Sequence, residues 1–306
     1  MLPDAANLLL CPSCRGRFLS SDGGPGNPGA ALRCPVGHSF DAAKQGYFNL
    51  LVGRGTVFEA DSASMVAARF EFLEGGHYRP LAEAVAASVA PALAGDKPVV
   101  LDAGTGTGHY LRCTLDTILA RHSAVAAIAL DISKFALRRA ARMNPEAANL
   151  VCDVWQPLPV ADAAVDAVTV VFAPRNPAEF ARVLRPAGLL VVVTPRPGHL
   201  AEIAARTGML GIEPDKDERL AESMGGHFHL NLARDLDLQL SLSPTDVENL
   251  AYMGPAGHHL NRASLTGRLA GLAAVTDVWA RFRINVFERL QDPGSVTTWP
   301  RSVPTH

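Results

Sequence analysis

A glycine-rich turn at residues 102–110 is the feature that most restricts how this chain folds. It reads Asp-Ala-Gly-Thr-Gly-Thr-Gly-His-Tyr and directly follows the apolar residues 99–101. A short apolar strand that ends in a carboxylate, followed by glycines that open a helix, is typical of parallel α/β sheets. Glycine has no Cβ, so the backbone of such a turn can approach a ligand closely. The turn therefore predicts a ligand site at the carboxyl end of a buried strand.

Alternating strands and helices surround this turn. The hydrophobic pattern predicts strands at residues 99–102, 125–131, 149–153, 167–173 and 189–194 and helices at residues 110–121, 134–143 and 177–184. Such alternation favours a parallel sheet covered on both faces, which means an α/β, Rossmann-like domain. The flanking segments are a helical region at 63–93 interrupted by Gly75-Gly76, a strand at 237–242, a helix at 244–250 and a strand at 278–290.

Two pairs of metal-ligand residues stand near the amino terminus. Cys11-Pro-Ser-Cys14 and Cys34-Pro-Val-Gly-His38 flank a Gly/Pro-rich loop at residues 20–30. Zn(II) prefers four tetrahedral nitrogen and sulfur ligands, and the four residues leave no position for water, which indicates a structural site. Three buried free cysteines with an incidental histidine are the alternative. A redox-active Cys-x-x-Cys is disfavoured because its thioredoxin-like context is missing.

Composition limits the partners and the compartment. The length of 306 residues corresponds to about two domains, and the hydrophobic fraction of 48% is enough for a sizeable core. A net charge of -2 excludes a chain that is basic throughout, so nucleic acid would be bound by local patches. No apolar run reaches the ~18–20 residues of a membrane span and no signal-peptide pattern is present, so we expect no membrane partner. Five cysteines with metal-type spacing favour a reducing cytoplasm.

The glycine turn matches S-adenosylmethionine better than a dinucleotide. A dinucleotide fingerprint needs a third glycine where His109 stands, and Asp102 would repel a pyrophosphate. S-Adenosylmethionine carries a sulfonium and an ammonium group and no phosphate. Asp131 and Asp153 end the next two strands, where they suit the ribose hydroxyls and the adenine amino group. Taken alone, either would rather be a helix cap or a loop residue; with the turn, the three carboxylates favour S-adenosylmethionine.

The segment after the fourth strand bears on the methyl acceptor. Methyltransferases that act on exocyclic amino groups often carry Asn/Asp-Pro-Pro-aromatic here, whereas this chain has Phe172-Ala173-Pro174. An exocyclic amine is therefore disfavoured as the target. Residues 179–188 look like the E-x-x-R-V-L-x-P-G-G turn of many methyltransferases, with Ala187 in place of one glycine.

The chain resembles the RlmA type of bacterial large-subunit rRNA guanine-N1-methyltransferases, including the actinobacterial members linked to macrolide (tylosin-type) resistance. The resemblance covers nearly the whole chain. Its most specific part is the zinc motif running into residues 38–51, His-Ser-Phe-Asp-Ala-Ala-Lys-Gln-Gly-Tyr-Phe-Asn-Leu-Leu. Residues 72–81, 130–134 and 194–200 also carry it. One departure lies at residues 253–259, Met-Gly-Pro-Ala-Gly-His-His, where members often have Met-Thr-Pro-Phe-x-Trp.

The resemblance implies which residues form the sites. The implied zinc ligands are Cys11, Cys14, Cys34 and His38. With Asp102 from the turn, the expected S-adenosylmethionine contacts are Tyr78, Asp102, Gly104, Thr105, Gly106, Thr107, Asp131, Asp153 and His199. Without the resemblance, Tyr78 reads as a helix-packing aromatic and His199 as a turn residue. The sequence does not identify a catalytic base. His199 is a candidate only because the resemblance places it near the cofactor.

The reaction implied by the resemblance is methyl transfer to N1 of a guanine in a 23S rRNA hairpin near the peptide exit tunnel, with macrolide resistance as the consequence. Residues 1–45 would form a zinc-binding RNA-recognition module, residues 46–95 a helical linker packing on the methyltransferase, and residues 96–306 the methyltransferase domain. A homodimer is implied by the resemblance only. Candidate RNA contacts in the module are Arg15, Arg17, Arg33 and Lys44, although charged runs often form a solvated face.

Two other functions are compatible with parts of the pattern. A methyltransferase for a small molecule in antibiotic biosynthesis would share the glycine turn but seldom needs a zinc module. A non-catalytic zinc and nucleic-acid binding module would share the cysteines, but the intact Asp-x-Gly-x-Gly-x-Gly turn argues against it.

Overall fold

The computed structural model describes residues 5–19, 30–53, 55–93, 95–209 and 216–290. The Gly/Pro-rich loop predicted at residues 20–30 lies outside these ranges except for its last residue. The strands are β1 (Ala31–Arg33), β2 (Ser39–Asp41), β3 (Tyr47–Asn49), β4 (Val99–Ala103), β5 (Ala126–Asp131), β6 (Ala148–Val151), β7 (Val165–Val171), β8 (Leu184–Pro195), β9 (Phe228–Leu242) and β10 (Thr276–Arg289). The α-helices are α1 (Ala63–Glu74), α2 (Arg79–Val89), α3 (His109–Leu119), α4 (Lys134–Met143), α5 (Pro177–Val183), α6 (Ala201–Thr207), α7 (Lys216–Met224), α8 (Pro244–Tyr252) and α9 (Arg262–Leu269).

One large sheet forms the centre of the molecule. Among the described residues its eight strands run in the order β3-β6-β5-β4-β7-β8-β10-β9. The pairs from β3 to β8 are parallel, and β10 pairs antiparallel with both β8 and β9. Strands β4 and β7 are buried along their whole length, as the apolar runs of their sequences require in a parallel sheet. The order reverses at β4, so a crevice for ligands opens beside the carboxyl end of this strand.

Local signals explain where α1 and α4 begin and where α1 ends. The Ser62 side chain accepts a hydrogen bond from the Met65 amide and caps α1, and Gly76, at φ 77°, ends that helical segment. Ser133 caps α4 in the same way through the Ala136 amide. Because Ser133 lies two residues after the end of β5, helix α4 begins at the ligand-binding edge of the sheet.

The cysteine-bearing module packs directly on the large sheet. Leu9 forms an antiparallel bridge with Val160, and the Leu10 amide donates to the Pro159 carbonyl at 3.0 Å. Residues of the module, among them Cys11, share one buried apolar cluster with the sheet. Strand β3 then extends the sheet at its edge, parallel to β6. The module and the sheet are therefore joined by a continuous core.

Most predicted elements are confirmed to within two residues, but two strands are longer than predicted. Strand β9 begins at Phe228 rather than at residue 237, since Arg234-Asp235 interrupts the apolar alternation that the prediction used. Asp235 pairs there with Arg283 on the neighbouring strand β10 and with Arg196, the residue after β8. Strand β8 begins at residue 184 because the Pro-Ala-Gly at residues 186–188 is taken up as a register shift against β7 instead of a turn.

No helix among the described residues is long and apolar enough to cross a membrane.

Candidate functional site

Four side chains distant in sequence converge in the amino-terminal module. The ligand atoms of Cys11, Cys14, Cys34 and His38 all lie within 4.8 Å of one another. The Sγ atoms of Cys14 and Cys34 are 3.6 Å apart, and His38 Nδ1 lies 3.4 Å from the Cys34 Sγ. The Cys11 Sγ is 3.6 Å from the same nitrogen. A tetrahedral Zn(II), with bonds of about 2.3 Å to sulfur and 2.0–2.1 Å to nitrogen, needs ligand atoms roughly 3.5–3.8 Å apart. The cluster has the dimensions of a zinc site.

A tight turn at residues 34–38 sets the positions of Cys34 and His38. The Cys34 amide donates to the His38 carbonyl at 3.0 Å, and the Gly37 amide donates to the Cys34 carbonyl at 3.0 Å. Gly37 has φ 96°, which favours glycine at this position. Burial alone would raise the pKa of Cys34, but hydrogen bonds from the His38 side chain, from Cys14 and from backbone amides outweigh it and lower the pKa to about 6. A thiolate, the form that binds a metal, is thus favoured.

The carboxylate of Asp102, at the end of β4, is only 2% exposed. Its Oδ1 accepts a hydrogen bond from the Thr169 hydroxyl at 2.6 Å, whereas Oδ2 is buried and has no partner among the described residues. Burial raises the pKa of Asp102 to about 6, although the hydrogen bond from the Thr169 hydroxyl works in the opposite direction. An orphaned buried oxygen is unfavourable unless a ligand supplies a donor or a positive charge. The ammonium and sulfonium groups of S-adenosylmethionine would do so.

The glycine turn is attached to the end of the neighbouring strand β5. The amides of Gly104 and Thr105 donate to the Leu130 carbonyl at 2.8 and 2.9 Å. The Asp131 carboxylate accepts from the Gly106 amide and, through its other oxygen, from the Ser133 amide, each at 2.8 Å. Each carboxylate oxygen has a second lone pair, so these contacts leave Asp131 able to accept from ribose hydroxyls.

Asp153 supplies a third carboxylate at this edge, just after β6. It is 4% exposed, and it accepts from the Thr56 hydroxyl at 2.8 Å and from the Trp155 amide at 3.0 Å. The pKa of the adjacent Cys152 thiol is raised, first by burial and then by the charges of Asp131 and Asp153. The three predicted carboxylates therefore lie along one edge of the sheet, at the ends of three adjacent strands.

Comparison with known proteins identifies both halves of this arrangement. Residues 9–52 match the family model "RlmA, N-terminal", and residues 100–188 match the model "Methyltransferase domain". A "Putative 23S rRNA (guanine-N(1)-)-methyltransferase" from Micromonospora griseorubida is 45% identical, over 93% of this chain and 98% of that protein. The chain belongs to the RlmA-type methyltransferase family. It is an S-adenosylmethionine-dependent methyltransferase with a zinc ribbon.

Further relatives extend this family. The "23S rRNA (guanine(748)-N(1))-methyltransferase" of Streptomyces fradiae is 41% identical over 91% of this chain and 95% of that protein. A "Putative 23S rRNA (guanine-N(1)-)-methyltransferase YxjB" from Bacillus subtilis (strain 168) is 30% identical over 64% of this chain and 67% of that protein. The matches to the Micromonospora griseorubida and Streptomyces fradiae proteins span nearly the whole length of both.

Sequence reasoning missed an ion-pair network beside the glycine turn of this RlmA-type chain. The Arg69 guanidinium, on α1, donates to the Asp61 carboxylate and to the Met253 carbonyl. A Cβ placed on Gly106 would lie 3.5 Å from the Arg69 Cδ, so this arginine covers the turn. His258, in the segment that departs from the family pattern, lies 3.6 Å from Asp61. The only signal for Arg69 in the sequence was that it is the one basic residue of α1.

The two site residues that came from the resemblance lie in an aromatic cluster near β10. Tyr78 is buried and packs edge-on against Phe282 with ring centroids 5.1 Å apart. Burial raises the pKa of the Tyr78 hydroxyl well above its usual value. The His199 ring lies 4.9 Å from the same Phe282, and its Nδ1 is 3.0 Å from the backbone nitrogen and oxygen of Arg281. Both residues therefore contact one aromatic ring, and a role for either at the methyl donor remains a proposal.

The four candidate RNA contacts of the module have different surroundings. The Arg15 guanidinium donates to the Leu158 carbonyl at 2.8 Å, across the contact with the sheet, and the Arg17 guanidinium donates to the Asn7 carbonyl at 3.2 Å. Arg33 and Lys44 are exposed. Lys44 lines a concave surface together with Arg142 of α4. Arg15 thus hydrogen-bonds within the protein, whereas Lys44 is exposed and lies beside a second cation.

Proposed function

We propose that this protein transfers a methyl group from S-adenosylmethionine to N1 of a guanine in a 23S rRNA hairpin near the peptide exit tunnel. The observation that carries the proposal is the near full-length similarity to relatives named as 23S rRNA guanine-N1-methyltransferases. A zinc ribbon of the right dimensions and an orphaned carboxylate oxygen at the glycine turn support it. A small-molecule methyltransferase would account for the orphaned carboxylate oxygen but would leave the zinc ribbon without a role.

The cofactor would be held at the carboxyl edge of β4, β5 and β6. Asp102 would face its positively charged groups, Asp131 the ribose hydroxyls and Asp153 the adenine amino group. The turn from Gly104 to Thr107 would bring backbone close to the ligand. Tyr78 and His199 are proposed to close the site from the β10 side. Bound S-adenosylmethionine supplies an electrophilic methyl group, and the protein's task is to position the acceptor against it.

Guanine N1 lies on the Watson–Crick edge and carries a proton. It is inaccessible in a paired helix, so the protein must bind an unpaired or flipped nucleotide. Methyl transfer would form the N1–carbon bond, leave the electron pair of the broken sulfur–carbon bond on the sulfur, which becomes a neutral thioether, and release the N1 proton to solvent. The methylated base can no longer donate from N1, which changes local pairing in the hairpin. We propose that macrolide resistance follows from this change near the drug-binding tunnel.

The zinc-binding region is proposed to bind the RNA through its phosphates. In this division residues 1–45 form the recognition module, residues 46–95 the helical linker and residues 96–306 the methyltransferase domain. Arg17, Arg33 and Lys44 are the proposed module contacts. Arg15 belongs to the same proposal, with part of its hydrogen-bonding capacity already used by Leu158. We propose a cytoplasmic location, since rRNA is the substrate, and a homodimer, which light scattering at assay concentration would test.

The deciding experiment supplies radiolabelled S-adenosylmethionine with protein-free 23S rRNA in one reaction and with a small-molecule extract in another. The RNA is digested to nucleosides and compared with methylated standards. We expect label in 1-methylguanosine, and a primer-extension stop then gives the nucleotide. Label in the extract alone would replace this function with small-molecule methylation. Label in a different nucleoside would retain an RNA substrate and reject N1 of guanine.

A further inference from the structure

Phe172, the first residue after β7, is the exposed member of a cluster of aromatic rings. Its side chain is 44% exposed although it is large and apolar. Its ring lies 5.6 Å from that of Phe282 and 6.5 Å, edge-on, from that of Tyr110. The backbone has φ 55°, a left-handed conformation that is unfavourable for a residue with a side chain. The protein thus holds an aromatic ring at the surface by means of a strained backbone and two supporting rings.

This ring stands next to the turn that faces the methyl donor. A Cβ placed on Gly104 would lie 2.2 Å from the Cβ of Ala173, so the glycine turn and the residue after Phe172 are in direct contact. Tyr110, which supports the Phe172 ring, is also close enough to Asp102 for that carboxylate to raise its pKa further, beyond the larger effect of burial. The exposed ring therefore lies beside the donor edge at the sheet's switch point, where β7 neighbours β4.

Arg175 lies on the same loop, three residues after Phe172, and is only partly exposed. It forms no ion pair with any residue in the part of the chain that the structure describes, whereas Arg182 and Arg185 just beyond it are paired with carboxylates. Burial lowers the pKa of Arg175, and no carboxylate offsets this. A desolvated guanidinium without a counter-charge fits an anionic ligand such as a phosphate.

We propose that the loop at residues 172–175 is the acceptor-nucleotide site, in which the target purine stacks on the Phe172 ring and Arg175 binds a phosphate of the same strand. This inference rests on the proposed function and adds to it the residues that hold the acceptor. Every base has a flat π-face, so an exposed aromatic ring can hold a flipped base without hydrogen-bonding side chains. Stacking on Phe172 also accounts for the absence of a polar side chain in the segment Phe-Ala-Pro that could bind an exocyclic amine.

The test compares Phe172→Leu with Phe172→Trp in the full-length protein. Leucine keeps apolar contact with the supporting rings but has no flat face, and tryptophan keeps the face. Single-turnover methylation of protein-free 23S rRNA is measured at saturating S-adenosylmethionine, together with the Kd for the cofactor. We expect Phe172→Leu to slow methylation roughly 5- to 150-fold, equivalent to about 1–3 kcal/mol of base stacking. Phe172→Trp should stay within about threefold of the wild type, and the cofactor Kd should be unchanged in both.

Arg175→Ala is paired with Arg121→Ala, a change at an exposed arginine beyond the far end of α3. We expect only Arg175→Ala to raise the KM for RNA, by about tenfold, and to lower the salt dependence of RNA binding. A wild-type rate in Phe172→Leu would overturn the inference. Equal losses in both Phe172 variants with a weakened cofactor Kd would also overturn it, because they would indicate packing against the donor. Absence of wild-type activity on rRNA would instead reject the proposed function itself.

Discussion

The carboxylate of Asp131 accepts a hydrogen bond from the backbone amide of Gly106 at 2.8 Å and so joins the end of β5 to the glycine turn after β4. The two residues come from different strand–helix units, and neither motif indicates the other in the sequence. The hydrogen bond fixes the position of the glycine turn relative to the carboxyl end of β5. It also makes one side chain responsible for both the shape of the turn and the proposed ribose contact.

Asp131→Ala should weaken cofactor binding about tenfold or more. The change removes a charged acceptor from the ribose and frees the Gly106 amide, and hydrogen bonds to charged groups contribute about 1.5–3 kcal/mol. Isothermal titration with S-adenosylmethionine measures the effect. Asp116→Ala is the matched control, since Asp116 is an exposed residue paired with Arg112 on α3. An unchanged Kd in Asp131→Ala would reject the ribose role.

Cys14→Ser should abolish zinc binding. Zinc content by atomic emission is expected to fall from about one per chain to near zero, and methylation of rRNA should be lost. Because the module shares a core with the large sheet, the variant should also unfold at lower temperature. Cys113→Ser, on α3, is the control and should keep full zinc content. Full zinc content in Cys14→Ser would contradict the assignment of this ligand.

The sequence was sufficient for features that depend on local pattern. The zinc motif, the glycine turn and α4 (Lys134–Met143) follow from spacing, periodicity and caps, and the structure brings the predicted residues together. It was insufficient where the signal depends on tertiary contact. Thr56 reaches Asp153, and Arg69 reaches Asp61 and the turn, only because α1 and the segment before it fold across the sheet edge. No periodicity marks such a crossing, so these residues had to be found in three dimensions.

Gly104→Ala should be far more damaging than Gly106→Ala. Both glycines have positive φ, 79° and 55°, so both substitutions strain the backbone. At Gly104 the new Cβ would also lie 2.2 Å from the Ala173 Cβ, whereas at Gly106 its nearest neighbour is 3.5 Å away. Adding Ala173→Gly to Gly104→Ala should recover part of the lost stability. Thermal unfolding of the two single variants and the double variant measures this coupling, and strictly additive effects would exclude the clash.

Asp102→Asn should stabilise the protein at neutral pH while it weakens cofactor binding. The native pKa of Asp102 is raised to about 6, above an unfolded value of about 3.9, so the folded state binds more protons between these values. The contribution of this carboxyl to stability is therefore full below about pH 4 and is lost as pH rises to about 6. Above pH 6 the penalty is on the order of 3 kcal/mol at most, and asparagine does not incur it.

The measurement for Asp102→Asn is urea unfolding of both proteins at pH 7.5 and pH 4.5. We expect the stability difference in favour of the variant to be largest at pH 7.5 and to shrink at pH 4.5. In the wild type, cofactor affinity should fall as pH drops below about 6, since a protonated Asp102 no longer attracts the cationic ligand. A stability difference that does not depend on pH would show that Asp102 is not the titrating group.

Lys44→Glu and Arg142→Glu should each weaken RNA binding, and the double variant should weaken it further. The two residues line one concave surface between the zinc module and α4, where repulsion of a phosphate by the new carboxylate would act on the same stretch of RNA. Filter binding of 23S rRNA across a salt series measures both affinity and its salt slope, which should drop by about 0.7–0.9 for each phosphate that the protein no longer neutralises. Arg121→Glu, at an exposed residue just after α3 that does not line this surface, controls for net charge. Because all three variants change the charge equally, an effect shared by Arg121→Glu would reflect overall charge, and only a selective loss in the first two locates the RNA at this surface.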